Sequence, residues 1–451
     1  MMKTFLAFSI AVISLLILNS CDTNEVVPNN VLNLSIEDVS CTEAWLQFTS
    51  TGLELPNTLT LYVDDKISEI ISLSTEDTLL YIDSLLPNRT YKILAAIKQS
   101  DDASNELSIK TMDTTSHNFS WQTFTFGETG TGSSTLYDVA IIDENDIWAV
   151  GEIYTEDSYT YDSLGNWVNP YNAIHWDGSK WELKRIYYVY NGANLWGPIR
   201  TILAFNANDI WFGAGIHWND LNFTTKLMNI DFPYQINKLW GISSSDLYIV
   251  GNEGNIAHYN GSSWTKIESG TSVDLKDICG AQSGEVIWTC GWSNSDGRVS
   301  LLKVDKDYVT SIWDNQTNPT LSIYRGTLLN SLYANGQNEF ILVGGQVLRH
   351  SLVNQSDVKL EWIKTYTGSK VLELGNYGYR IKGSNKNNIF ISGDASMIWH
   401  FNGFTWYKYL EQYNLNDILY GLAVTDNIIA TVGKRYSSGS LGGALLIIGR
   451  R

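Results

Sequence analysis

Histidine is the first residue type to test for acid–base or metal chemistry, because imidazole titrates near neutrality and ligates metals. The chain has six. His175, His258 and His400 recur in one setting: Ile174-His175-Trp176-Asp177-Gly178, Ala257-His258-Tyr259-Asn260-Gly261 and Trp399-His400-Phe401-Asn402-Gly403. His217 and His350 sit close to equivalent places. Residues that recur by repeat lie in successive structural units and cannot converge on one ion. One structural polar contact per unit is therefore expected, and no metal site. The acids Asp146, Asp209 and Asp246 also recur, and are expected to cap turns. Glycoside hydrolysis needs two carboxylates about 5–10 Å apart across a cleft, and the sequence does not show which loop acids face each other. No Gly-x-Ser-x-Gly elbow, P-loop or dinucleotide fingerprint is present. No catalytic residue and no cofactor is assigned, and an enzymatic reading rests on the scaffold alone.

Aromatic residues carry the binding signal. The 17 Trp and 25 Tyr divide into two populations. Trp148, Trp211 and Trp288 share one repeat position and Trp181, Trp264 and Trp406 another, as expected of wedge packing between units. The second population breaks the repeat. Residues 152–172 and 187–198 are long insertions holding Tyr161, Trp167, Tyr188, Tyr190 and Trp196, beside Glu152, Glu156, Asp157 and Asp162. Trp218 and Trp292 are placed in matching connections of other units, with Trp313, Tyr324, Tyr366 and Tyr377. Tyr161, Trp167, Tyr188, Tyr190, Trp196, Trp218 and Trp292 are the candidate ligand-binding residues, because long loops on a rigid scaffold are where binding resides. Flat rings among acids suit a glycan, and equally a protein partner. Packing of these rings on one another, merely to order the loops, is the competing reading.

The elements behind these residues are β-strands. Seven segments read as a strand ending in Gly: Asp146–Gly151, Asp209–Ala214 (with Gly213), Asp246–Gly251, Val286–Gly291, Glu339–Gly344, Asn388–Gly393 and Ile428–Gly433. Asp-Gly and Asn-Gly between runs of β-formers are hairpin signals, both central residues being expected at positive φ. Each unit thus reads as four antiparallel strands, A to D, and residues 119–451 as a seven-bladed β-propeller. The last unit lacks a fourth strand. Phe119 to Phe126 resembles one and is expected to complete that blade. The Gly-x-x-Trp spacing resembles the Asp-box hairpin of sialidase-type propellers, although here the acid or amide directly precedes Gly. A sialidase would need three converging Arg; Arg200, Arg298, Arg325, Arg349, Arg380 and Arg435 are available, none within a motif. A carbohydrate-active enzyme, a glycoside hydrolase or a glycosyl-transferring protein using loop carboxylates, is therefore one alternative to a binding module, and a purely structural envelope component is another.

Residues 31–115 read differently. Short alternating runs such as Ala44-Trp45-Leu46-Gln47-Phe48 and Leu59-Thr60-Leu61-Tyr62-Val63 recur at roughly ten-residue spacing, which argues for a two-sheet sandwich. Leu85-Leu86-Pro87-Asn88-Arg89-Thr90-Tyr91 resembles the Leu-x-Pro-x-Thr-x-Tyr stretch of fibronectin type III domains. The resemblance implies that Tyr91 bonds back to the preceding loop, that Trp45 is a core tryptophan, and that Lys110-Thr111 ends the last strand. The fold class is thus all-β, a fibronectin type III-like β-sandwich followed by a seven-bladed β-propeller.

Lys3 is the only charge in the first 20 residues, and an apolar run from Phe5 to Leu18 precedes Leu18-Asn19-Ser20-Cys21. The run is short for a bilayer span and has the layout of a secretory signal. Its ending resembles the lipobox of bacterial lipoproteins, which implies lipidation of Cys21 and a lipid-anchored, extracytoplasmic protein of the bacterial cell envelope, with the outer membrane expected. Residues 1–20 are then a signal peptide and 21–30 a tether. Cys41, Cys279 and Cys290 remain, the last two flanking a hairpin either as a cross-strand disulfide or as two small buried hydrophobes. With 30 Lys and Arg against 48 Asp and Glu, a formal charge of −18 excludes a nucleic-acid partner. The expected partners are the lipid bilayer, through the acylated N-terminus, and a glycan or cell-envelope protein.

Overall fold

The structure, a computed structural model, describes residues 31–98, 102–127, 132–190, 193–213, 215–219, 223–225, 232, 235–280, 286–306, 308–314, 328–334, 339–344, 347–352, 358–362, 374–437 and 440–451. Cys21, with the signal and tether segments, lies outside the described residues.

The N-terminal unit has two antiparallel sheets. One orders Val31–Val39, Ala44–Thr51 and Asp77–Ile82; the other orders Lys66–Leu73, Asn57–Val63, Thr90–Ile97 and Leu107–Lys110. Period-two alternation sends Ala44, Leu46 and Phe48 inward from the first sheet, against Leu59, Leu61, Ile93 and Ala95 from the second. The Tyr91 hydroxyl accepts the Leu86 N–H at 2.7 Å, the bond back to the preceding loop that the resemblance implies. Trp45 departs from expectation. Its neighbours point into this core, so Trp45 points to the other face. It is nonetheless fully buried, with Tyr81 at 5.4 Å and the Lys386 ammonium 4.9 Å from its ring. Trp45 therefore seals the junction between the two units instead of filling the sandwich.

Among the described residues the remainder contains seven four-stranded antiparallel sheets, here numbered 1 to 7 in sequence order, and two small two-stranded ones. Their first strands are Thr135–Asp143, Ile202–Asn206, Ile236–Ser243, Leu275–Gly280, Ser331–Ala334, Gly378–Asn385 and Asp417–Val424. Each first strand touches the first strand of the next sheet, and that of sheet 7 touches that of sheet 1, so the ring closes. This is a β-propeller, and its closure removes the exposed edges an open sheet would present. The closing strand comes from upstream: Ser120–Phe126 pairs antiparallel with Ser440–Arg450 and completes sheet 7. Gly421 marks that seam, where a Cβ would stand 2.8 Å from both Asp138 Cα and the Tyr137 carbonyl oxygen.

The recurring histidines have recurring partners. His175 meets the Asp146 carboxylate at 2.9 Å and stacks on Trp148 at 4.1 Å; His217 meets Asp209 at 2.7 Å and stacks on Trp211 at 4.6 Å. His258 repeats this with Asp246 and Tyr248, and His400 with Asn388 and Phe390. The His350 side chain lies outside the described residues. The acids thus hold histidines and do not cap the turns. Capping falls three residues earlier in sheets 1 to 3, where Asp143, Asn206 and Ser243 accept the Asn145, Asn208 and Ser245 N–H groups.

The Asp-Gly and Asn-Gly turns are also built differently from expectation. Each is a four-residue loop between paired residues, Trp176 with Trp181, Tyr259 with Trp264 and Phe401 with Trp406. Only the glycine takes positive φ, near +90° in all three. The preceding Asp177, Asn260 or Asn402 instead uses its side-chain oxygen to accept N–H groups two and three residues on. Cys279 and Cys290 are free thiols, offset across their strand pair, Cys279 opposite Trp288 and Cys290 opposite Asp277. They act as small hydrophobes in one apolar cluster, where burial pushes the Cys279 thiol up to about 12. Among the described residues no helix is long and apolar enough to cross a membrane.

Candidate functional site

A propeller brings the starts of its innermost strands together around one axis, so residues there meet from every sheet. Deepest lies a polar ring with a repeated plan. Asp138 Oδ2, from sheet 1, accepts the Thr201 hydroxyl at 3.1 Å and the Ile202 N–H at 3.0 Å from sheet 2, and the Lys238 ammonium at 2.6 Å from sheet 3. Asp277, from sheet 4, accepts the Ser331 hydroxyl and the Leu332 N–H from sheet 5, and the Lys382 ammonium at 3.1 Å from sheet 6. The two hydroxyls in turn accept backbone N–H groups of the third sheet in each set, from Leu239 and Ile381. Each acid therefore ties three consecutive sheets, and the two charge pairs cancel. Burial drives Lys238 below its ordinary range despite Asp138. Burial alone would raise the Asp277 carboxyl, but Lys382, Arg380 and Lys238 outweigh it and hold that group low.

Above this floor the axis opens into a mouth of about 310 Å³ on the face carrying the B–C loops and D–A connections. Tyr137, Arg200, Asn237, Lys276, Asn330 and Tyr420, at corresponding places near the starts of successive innermost strands, line it with Tyr379, Arg380 and Trp292. The polar walls are fixed across sheets. The Trp292 indole N–H donates to Asn330 Oδ1 at 2.9 Å, and Asn330 Nδ2 donates to the Gly378 carbonyl at 2.8 Å. Asn237 Nδ2 donates to the Leu275 carbonyl and to Asn252 Oδ1, both at 2.8 Å. The Tyr137 hydroxyl donates to Glu152 at 2.6 Å; burial, then this acceptor, hold the phenol well above its ordinary range. Tyr379 is pushed up to about 12 by burial and by Asp394. These phenols are hydrogen-bond donors at neutral pH and not bases.

A second hollow of about 400 Å³ adjoins the mouth, sharing Arg200, Gln235 and Ile236 with it. Tyr188, Pro198, Ile199, Phe212 and Ile216 give this trench an apolar wall. Asn172 positions that wall although it contacts no open space. Fully buried, it accepts the Ile186 N–H at 2.8 Å and donates to the Ile186 and Gly197 carbonyls, pinning the 187–198 insertion near both of its ends.

The predicted residues are divided by the structure. Both long insertions form small hairpins, Thr160–Tyr161 with Trp167–Val168 and Tyr188–Tyr190 with Ala193–Leu195. On the first, Trp167 packs edge-on against Tyr161 at 5.2 Å and Tyr159 at 5.0 Å, which itself meets Tyr154. Tyr161 is 68% exposed and Trp167 44%. Tyr188 lines the trench and Trp292 the mouth. Trp196 is half-buried, its indole N–H enclosed with no acceptor among the described residues. The Tyr190 side chain, Tyr324 and Tyr366 lie outside the described residues.

Two placements are corrected. Trp218 ends the third strand of sheet 2, opposite Ile210, and donates to the Ala207 carbonyl in the A–B turn at 3.1 Å. It therefore lies on the face opposite the mouth, because the loop before it is only three residues long and leaves it at the strand's far end. Trp313 is in the fourth strand of sheet 4 and 5% exposed, a core residue. Of the candidate arginines, Arg200 and Arg380 meet at the mouth, whereas Arg298, Arg349 and Arg435 pair with Asp296, Glu43 and Asp417; Arg325 lies outside the described residues. Sequence reasoning missed Tyr137, Asn237, Lys276, Asn330, Tyr379 and Tyr420. The available signal was a polar or aromatic residue near the start of every innermost strand. Among the described residues no three His, Cys, Asp or Glu side chains gather as a metal site.

Neither a family model nor a curated protein matches the sequence. Solved structures do. One described as YCF48 bound to D1 peptide has a TM-score of 0.50 at 13% identity, covering 73% of this protein and 95% of its own length. YCF48 from Cyanidioschyzon merolae has a TM-score of 0.47 at 12% identity, covering 72% and 98%. The WD40 β-propeller domain of Doa1 has a TM-score of 0.48 at 13% identity, covering 72% and 97%. Identities this low speak to the fold alone.

Proposed function

We propose that this protein is a protein-binding propeller of seven blades, held by a fibronectin type III-like pedestal and a lipidated Cys21 on the outside of a bacterial membrane. It takes an extended segment of a partner protein into the mouth and trench. The observation that carries the reading is the joined mouth and trench on one face, with the N-terminal unit docked on the other. Thr115 and Asp113 bond to Asn387 and Asn402, in the A–B and C–D turns of sheet 6. Lys386 pairs with Asp38 beside them, and Glu43 with Arg349 of sheet 5. A tether leading into that unit would leave the mouth facing away from the membrane. A solved propeller described as bound to a peptide is compatible with such a ligand. Among the described residues no Asp or Glu lines the mouth, so a two-carboxylate glycosidase finds no acid there.

The test presents the soluble fragment from residue 31 to a peptide array and a glycan array. A Cβ at Gly215 meets nothing within 4 Å in the trench. Gly215→Trp should therefore fill the trench without disturbing the fold and abolish peptide binding. Binding confined to glycans, or peptide binding indifferent to Gly215→Trp, would overturn this reading.

A further inference from the structure

The mouth runs against the charge of the whole molecule. The protein carries −18 overall, yet its mouth contains Arg200, Lys276 and Arg380 and, among the described residues, no acid. Lys276 is answered by Asp274 at 3.1 Å. The floor charges answer each other, Asp138 with Lys238 and Asp277 with Lys382. The two guanidiniums remain. Arg200, from sheet 2, lies 4.5 Å over the Tyr137 ring and has no ion-pair partner among the described residues. Arg380, from sheet 6, is likewise without one; its Nη1 donates to the Lys276 and Asn330 carbonyls, and its buried Nε–H has no acceptor there. Asp277 feels Arg380 as well as Lys382, and Glu152 and Asp394 accept the Tyr137 and Tyr379 hydroxyls behind the wall, but neither guanidinium holds a direct ion pair among the described residues, so both keep N–H donors for an anion entering the mouth.

We infer that the mouth seats a carboxylate of the bound peptide between Arg200 and Arg380, while an apolar side chain of the same peptide fills the trench. This rests on the peptide-binding reading above. Guanidinium forks match carboxylates in planar, paired hydrogen bonds, and a guanidinium without a direct ion pair is stabilised by an anion. The carboxylate can be the peptide's own C-terminus or an Asp or Glu side chain, and the chemistry at the mouth is the same for both.

The probe is an octapeptide library in which each member is made with a free C-terminal carboxylate and as the amide, and with each acid and its Asn or Gln isostere. Binders should be acidic, and converting the responsible carboxylate to an amide should weaken binding about 10- to 100-fold, as for loss of charge-assisted hydrogen bonds. Loss on C-terminal amidation assigns the terminus; loss on Glu→Gln or Asp→Asn assigns a side chain. Arg200→Gln should reproduce the loss in either case. It leaves the fold intact, because this guanidinium rests on the Tyr137 ring and holds no ion pair among the described residues. Equal binding of acid and amide forms, or no effect of Arg200→Gln, overturns the carboxylate site while leaving peptide binding in place. Glutarate provides a second arm. It should raise the melting temperature of the wild type and not of Arg200→Gln. That shift in a protein that binds no peptide would keep the anion site and overturn the peptide reading; no shift in the wild type overturns the anion site.

Discussion

Asp138→Ala probes the ring that ties the sheets together. The carboxylate is 2% exposed, and its Oδ2 alone answers the Lys238 ammonium at 2.6 Å, the Ile202 N–H at 3.0 Å and the Thr201 hydroxyl at 3.1 Å. Removing it leaves Lys238, 8% exposed, as a buried cation without its direct partner. Breaking one side of such a pair costs about 3–5 kcal/mol. The propeller spans about 330 residues, so at about 2.1 cal/mol/K per residue that loss lowers its melting temperature by about 4–7 °C. Asp138→Leu with Lys238→Met removes both charges and should recover about half of the loss. About 1–3 kcal/mol remains for the Ile202 N–H left without an acceptor. Thermal and denaturant unfolding of the fragment 31–451, followed on the propeller transition, reads these costs. A cost below about 1 kcal/mol for Asp138→Ala, or a double variant as unstable as the sum of its singles, would refute the argument that this pair carries the ring.

Other consequences are direct. Burial, with His117 and Arg451 nearby, drops His400 to about 2, so the folded protein keeps it neutral. Stability from this group is complete above its unfolded value of about 6.5 and falls by up to about 1.4 kcal/mol per pH unit below it. Unfolding measured between about pH 6.5 and pH 5 should show that slope flattened in His400→Gln; parallel curves would refute it. Gly421→Ala forces a Cβ against the backbone of sheet 1 at the closing seam and should cost about 1–3 kcal/mol. Gly197→Ala, which meets nothing within 4 Å, should cost less than about 0.5 kcal/mol by denaturant unfolding. Arg349→Ala strands the buried Glu43 carboxylate between the units, leaving it only neutral donors, the Tyr81 hydroxyl at 2.7 Å and the Ser40 hydroxyl at 3.2 Å. Limited proteolysis of residues 112–118 should accelerate while each unit stays folded; an unchanged cleavage rate would show that this pair does not hold the junction.

Most of the repeat was legible because its signals are local. Asp-Gly and Asn-Gly marked the outer hairpins even though their loops proved longer than the expected turn, since glycine is required in either geometry. The His-after-apolar pattern marked one polar contact per blade, but not which group it contacts. That depends on which residues of adjacent strands lie opposite, as Trp148 lies opposite His175. Trp218 was misplaced for the same reason, since only strand pairing decides which end of a short loop a residue occupies. The fibronectin type III resemblance implies a place in the sandwich core for Trp45. Its neighbours fill that core, and another unit covers Trp45.

Periodicity along the chain encodes strands, their hairpins and the recurrence of one unit, and it marks the strand before residue 127 that pairs with the last strand. The site is set by the packing of the sheets. Arg200 and Arg380 are 180 positions apart, and neither stands in a motif. They share one mouth because a closed ring of sheets directs the start of every innermost strand to a common axis. Convergence on an axis belongs to the closed ring, and no single repeat contains it.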